Sequence, residues 1–317
     1  MRHRVRAAGR ALGALLAALA LWQSPPAAAA ELVTPAQIIT GGRLAERTDA
    51  NGMPLPGALH RFANFVFPAA VAARGPDVYV ADSGARRVYR FDLSLQVLSV
   101  VPGVEALLGT RLQTAADQSL LVLDPARSRI LRIGRGGRPL QSLSDSIVTA
   151  RWSEFAADES GARLVASDRL NQRLVALQPL AGMSHPLSTA GESGGALLSP
   201  GAVAFAGRAI LVADGACHCI VEVDENGAVR RQFGGEILKQ PRALAADRHG
   251  RLFVLDGFDR SLHVFQQGRL VDSLDATRLR MVEPVALAVD GPWLYVADGP
   301  GARIGVFRLA PPETERQ

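Results

Sequence analysis

Six aspartates recur along the chain, at Asp82, Asp124, Asp168, Asp214, Asp256 and Asp298. An arginine stands five residues after four of them, at Arg87, Arg129, Arg173 and Arg303, while Cys219 and Ser261 hold that place in the other two copies. A carboxylate and a guanidinium at this separation can close a turn as a charge-assisted pair, each Asp capping its own loop. With Arg86, Arg127, Arg169 and Arg260 added, the same residues could instead form a cationic rim. Such a rim would suit an anionic glycan, a lipid head group, a peptide or an acidic protein. A feature repeated in every copy usually serves the copy, so the turn-closing reading comes first.

A second cluster is Cys217-His218-Cys219 in the fourth copy. On a strand, two cysteines at i and i+2 point to the same side, near the upper distance limit for a disulfide. The triplet also supplies soft ligands for copper or zinc. A tetrahedral site would need another ligand from elsewhere, and the chain has only these two cysteines. Haem attachment is excluded, because it needs Cys-x-x-Cys-His. A thiol pair or a disulfide is the expectation, and a bound metal is left open.

The elements that must position these residues follow from the period. Successive aspartates are 42, 44, 46, 42 and 42 residues apart, which predicts a β-propeller or a similar array of small sheets. Before each Asp lies an apolar run, such as Val78-Tyr79-Val80 or Leu294-Tyr295-Val296. These runs are apolar at consecutive positions, as in a strand buried on both faces. Innermost strands are predicted over Pro68–Ala73, Leu112–Ala116, Glu154–Ala157, Pro200–Phe205, Pro241–Ala246 and Pro284–Val289. A third strand follows each Asp loop, then a weaker fourth. The sixth copy lacks a fourth strand, and the isolated strand near Gln37 to Thr40 would fill that vacancy and close the ring. The expectation is an all-β, six-bladed propeller.

The repeats VYVADSGARRV, ILVADGACHCI, LFVLDGFDRSL and LYVADGPGARI, with weaker copies LVLDPARSRIL and LVASDRLNQRL, resemble those of the NHL-repeat family of six-bladed propellers. The resemblance spans residues 31–312. It implies the fold, and it implies little about function, since one scaffold hosts many unrelated sites. RNA-binding relatives in that family use the face that carries the Asp loops.

Propellers of the gluconolactonase and strictosidine synthase kinds hold their chemistry at the central channel, often with calcium. A hard cation there needs several oxygen ligands. The predicted innermost strands are mainly Ala, Val, Leu and Phe, and with Gln113, Thr114 and Glu154 read as their polar positions the channel is expected to be inert. Amidating lyases on related propellers hold zinc by histidines. Here His60, His185, His218, His249 and His263 fall at unrelated points of the repeat.

Residues 1–30 read as a secretory leader: Arg2, Arg4, Arg6 and Arg10, an apolar run over Ala11 to Trp22, then small residues ending at Ala30. The net charge of +5 belongs mostly to this leader, and the remainder has 31 Lys+Arg against 30 Asp+Glu. Nucleic acid is therefore not an expected partner, and the predicted location is periplasmic or secreted. Residues 44–66, marked by Asn51-Gly52, Pro54 and Pro56, read as a long loop on the Asp-loop face. That loop carries Arg47, Asp49, His60, Arg61, Phe62 and Phe65 and would act as a lid or as a plug of the channel mouth. Residues 313–317 read as a polar tail. The functional expectation is a binding scaffold using Arg86, Arg87, Arg129, Arg173, Arg260, Arg303 and His60, with no cofactor. The alternative is a metal-assisted lyase or hydrolase, lactonase-like or amidating-lyase-like, on the same face.

Overall fold

The computed structural model describes residues 31–45, 47–49, 53–57, 59–144, 151–179, 183–187 and 197–311. The expected leader and polar tail lie outside the described residues. Leu32–Gln317 belong to one compact unit. It is a six-bladed β-propeller of antiparallel, four-stranded blades, the first of them widened to six strands. The helix Ala276–Leu279 is a single turn, and no helix among the described residues is long and apolar enough to cross a membrane.

The innermost strands are Pro68–Arg74, Arg111–Thr114, Trp152–Ala157, Pro200–Ala206, Pro241–Ala246 and Pro284–Asp290. The second strands are Asp77–Asp82, Leu120–Asp124, Leu164–Asp168, Ala209–Asp214, Arg251–Asp256 and Trp293–Asp298, each ending on a ladder Asp. Their unbroken apolar character has the expected cause. Val78 and Val80 pack with Tyr295 and Ala297 of blade 6, whereas Tyr79 and Ala81 pack with Leu112, Leu120 and Val122 of blade 2. Alternate side chains of one strand thus serve two different inter-blade cores. Burial also pushes the phenols of Tyr79 and Tyr295 up to about 12.

The ring closes with Val33–Ile39, which pairs antiparallel with Arg303–Leu309 as the outermost strand of blade 6. This strand begins four residues earlier than Gln37. Val33 and Ile39 are buried on it, so the closure adds to the core as well as covering a sheet edge.

Residues 44–66 correct the loop expectation. Gly41–Ala45 adds parallel to the outermost strand of blade 1, Val97–Val100, with Leu44 opposite Leu98. Leu59–Asn64 then pairs antiparallel with Gly41–Ala45. The segment extends an edge instead of covering the mouth. An exposed edge offers unpaired N–H and C=O groups to any nearby extended chain. Leu44 and Ala45 are buried by this pairing, which secures it. Phe62 is exposed on the outer strand, whereas Phe65 is buried beside Tyr89, ring centroids 6.1 Å apart. Neither ring plugs the channel.

Candidate functional site

The propeller face that carries the ladder aspartates is built the same way in most blades. A bulge interrupts the pairing just after the first residue of five innermost strands, for example between Pro68 and Ala70. Four of these strands open with Pro, which has no N–H to lose. The two residues before each of those prolines curl over the end of the second strand and donate their N–H groups to the ladder carboxylate. Val66 and Phe67 donate to Asp82, Leu198 and Ser199 to Asp214, Lys239 and Gln240 to Asp256, and Val282 and Glu283 to Asp298. The following turn adds a further N–H, from Ala85, Ala216, Phe258 and Gly301 respectively.

Blades 2 and 3 achieve the same end with side chains. Asp124 accepts from Arg127 and Arg129, and Asp168 accepts from Asn171 and Arg173. Asp298 has both kinds of partner, with Arg303 Nε 2.9 Å from Oδ2. Burial works against ionisation of Asp298, but the N–H groups of Glu283 and Val282, with Arg303, outweigh it and hold the carboxyl below its ordinary value. Asp124 is likewise lowered, its burial outweighed by Arg127 and Arg129.

The remaining rim arginines clamp one blade to the approach of the next. Arg86 pairs with Glu105, Arg169 donates to Ser199 Oγ at 3.1 Å, and Arg260 Nη1 lies 3.4 Å from the Val282 carbonyl. The Arg87 backbone pairs with Asp82 across the two strands, whereas its side chain is exposed and makes no ion pair or hydrogen bond among the described residues. Of the site residues expected from the sequence, Arg86, Arg129, Arg173, Arg260 and Arg303 therefore already have partners within the chain. The backbone of His60 lies on the added outer strand of blade 1, away from the rim.

Among the described residues no three or more His, Cys, Asp or Glu side chains come together as a metal site. His263 is buried, its Nδ1 2.9 Å from Ser273 Oγ, and burial lowers its pKa. His185 is exposed on an outermost strand, and His218 sits in the turn of blade 4. Cys217 and Cys219 form a disulfide with a Cα–Cα distance of 5.1 Å, so the two sulfurs engage each other.

Two features of this face were missed from the sequence. The first is a set of charges at the channel entrance. Arg111, the first residue of its innermost strand, donates from Nε to Glu154 Oε1 at 2.5 Å. Arg242 Nη1 pairs with Glu283 Oε1 at 2.8 Å. Burial pushes the Glu154 carboxyl up, and Arg111 and the more distant Arg242 only partly offset it. The channel is thus not lined by Gln113, Thr114 and Glu154 alone. Arg111 lies one residue before the predicted strand, and Arg242 lies inside one. Gln113 and Thr114 bind neighbouring blades instead: Gln113 Oε1 accepts from the Ala157 N–H, and Thr114 Oγ1 donates to the Ala73 carbonyl.

The second is an apolar collar. Val66, Leu108, Leu170, Leu198, Phe258 and Val282 are 49–81% exposed. All six lie on the ladder face, either on the approach to an innermost strand or in a ladder turn. The geometry explains the exposure of three of them. Val66, Leu198 and Val282 turn their N–H groups down onto a ladder Asp, and their side chains are left on the solvent side. In blade 5 the same position is Lys239, whose ammonium lies 4.9 Å from the centroid of the Phe258 ring. The signal available in the sequence was an apolar residue two places before the repeat's Pro, recurring at Val66, Leu198 and Val282.

No protein-family model and no curated relative matches the sequence. Solved structures do match the fold. A virginiamycin B lyase from Staphylococcus aureus shares 11% identity over 77% of this chain and 96% of its own, with a TM-score of 0.56. A protein of unknown function from Bacteroides thetaiotaomicron shares 17% identity over 86% of this chain and 76% of its own, with a TM-score of 0.65. A gluconolactonase from Xanthomonas campestris shares 16% identity over 88% of this chain and 97% of its own, with a TM-score of 0.57. At these identities the likeness is one of fold.

Proposed function

We propose that this chain is an exported, NHL-type propeller that captures a protein or peptide through its ladder face. The observation that carries the reading is the apolar collar. Exposed apolar side chains gathered on one end of a molecule are characteristic of interaction surfaces. Six such side chains, set among the charges of Arg111, Glu154, Arg242 and Glu283, suit a partner that inserts apolar side chains and offers polar groups at the centre. The rim arginines contribute less charge than their number suggests, because most already face a carboxylate. Arg87, with Arg86 and Arg260, would add contacts at the periphery.

The test is peptide selection on the immobilised protein, repeated with a Leu108→Ser, Leu198→Ser, Phe258→Ser variant. The reading expects the selected peptides to be rich in apolar side chains, to lose at least about tenfold in affinity on the variant, and to keep binding in high salt. Peptides that are acidic, released by salt and insensitive to the three substitutions would move the site to the arginine rim. An anionic glycan or lipid partner would then be the better reading.

A metal-assisted lyase or hydrolase is the competing reading. Its support is the fold shared with a virginiamycin B lyase and a gluconolactonase. The described residues do not supply a converging set of metal ligands. About one tightly held metal ion per chain, together with turnover of a lactone, would favour it over the binding module.

A further inference from the structure

We infer that Cys217 and Cys219 form a thiol–disulfide exchange site that oxidises a dithiol of a partner polypeptide. The first support is that the disulfide is redundant for the fold, and the other five blades are internal controls. In every ladder turn the residue four places after the Asp adopts a left-handed backbone: φ is 55° at Arg86, 46° at Ser128, 52° at Gln172, 53° at His218, 62° at Arg260 and 51° at Ala302. Five turns reach this conformation without a disulfide. Asp214 is already satisfied by the N–H groups of Leu198, Ser199 and Ala216, and Asp214 and Cys219 are already paired across the two strands. A bond spanning two residues also removes little freedom from the unfolded chain. Nothing structural in this turn calls for the cross-link.

The second support is access. Cys217 is exposed, whereas Cys219 is buried. Both line an open cleft of about 400 Å³ with Gln232, Phe233, Glu236 and Ile237. The floor of the cleft includes Gly235, whose absent Cβ would lie 3.5 Å from the Cys219 Cβ. An extended polypeptide could rest against Phe233 and Ile237 and present a thiol to the outer sulfur.

The chemistry balances within the pair. A thiolate of the partner attacks Cys217 Sγ, an intermolecular S–S bond forms, and Cys219 leaves as a thiolate that takes a proton from water. The partner's second thiolate attacks its own sulfur in that mixed disulfide and releases Cys217. Two electrons pass from the partner, which ends with a disulfide, to the cysteine pair, which ends as two thiols. Reoxidation requires a further disulfide-bearing oxidant, for which oxidised glutathione serves in the test.

The experiment measures reduction of the folded protein, purified without reductant, by dithiothreitol and by a short dithiol peptide, with alkylation and mass read as a function of time. The expected result is reduction of the native bond within about tenfold of the rate in the urea-unfolded chain, with unchanged circular dichroism. Cys219→Ser should form a mixed disulfide with oxidised glutathione at least about tenfold faster than Cys217→Ser, because only Cys217 is exposed. Gly235→Leu should slow the peptide more than dithiothreitol. A bond reduced only on unfolding would overturn the assignment. So would equal reactivity of the two single variants, or thiols that are free in the protein as purified.

Discussion

The Val282 N–H donates to Asp298 Oδ2 at 2.9 Å, and the Glu283 N–H donates to Oδ1 at the same distance. One carboxylate thus holds the approach to its own blade, while Arg303 and Gly301 secure the turn on its other side. The same group decides that the Val282 side chain faces solvent. The stability of the ladder and the shape of the collar therefore have a common origin.

The ladder positions should not be equal in weight. Asp298→Ala would leave the part-buried N–H groups of Val282, Glu283 and Gly301, and Arg303, without an acceptor, a loss of about 3–5 kcal/mol. Asp124→Ala removes a partly exposed carboxylate facing one exposed and one half-buried guanidinium group and should cost about 1 kcal/mol or less. Urea denaturation of the two variants measures the difference; equal losses would contradict the geometry. The sign with pH follows from the lowered carboxyl of Asp298. Its contribution is present above the unfolded value, about 3.9, and is lost as pH falls through the lower folded value.

Closure of the ring can be tested at adjacent residues. Ile39 is buried and Ile38 is half exposed on the same strand. Ile39→Ala should lower stability by about 2–5 kcal/mol, and Ile38→Ala should stay within about 0.5 kcal/mol. If the two variants melt alike, the strand does not sit in blade 6 in the register Ile39 opposite Ile304.

His263 predicts a pH dependence of opposite origin to an ion pair. Burial lowers its pKa in the folded chain, so the neutral ring is favoured there. Stability is full above the unfolded value, about 6.5, and declines as pH falls from there toward the folded value. His263→Asn, which keeps a neutral polar group near Ser273, should flatten the change in urea midpoint between pH 7.5 and pH 5. An unaltered slope would place the titrating group elsewhere.

Much of the architecture could be read locally. The 42–46 residue spacing of the ladder aspartates, the second strands apolar at consecutive positions and the vacancy in the last repeat all lie within one repeat length. Short-range chemistry produces each of them: a carboxylate that must close a turn, a strand that must be covered on two faces, an edge that must be paired. Residues 44–66 could not be placed this way, because Gly41–Ala45 pairs with an edge strand more than fifty residues away. Its turn residues say only that the chain bends.

The candidate sites divide along the same line. The chain alone determined which residues carry charge or sulfur and at what level of the repeat the aspartates stand. Tertiary structure decided which of them remain available. It placed Arg111 against Glu154, 43 residues apart, and engaged most rim arginines with neighbours. It also turned Val66, Leu198 and Val282 outward, each two residues before the Pro that opens a strand. The physical reason is that exposure and charge neutralisation depend on what the adjoining blades bring near, and the spacing within one repeat holds no record of that.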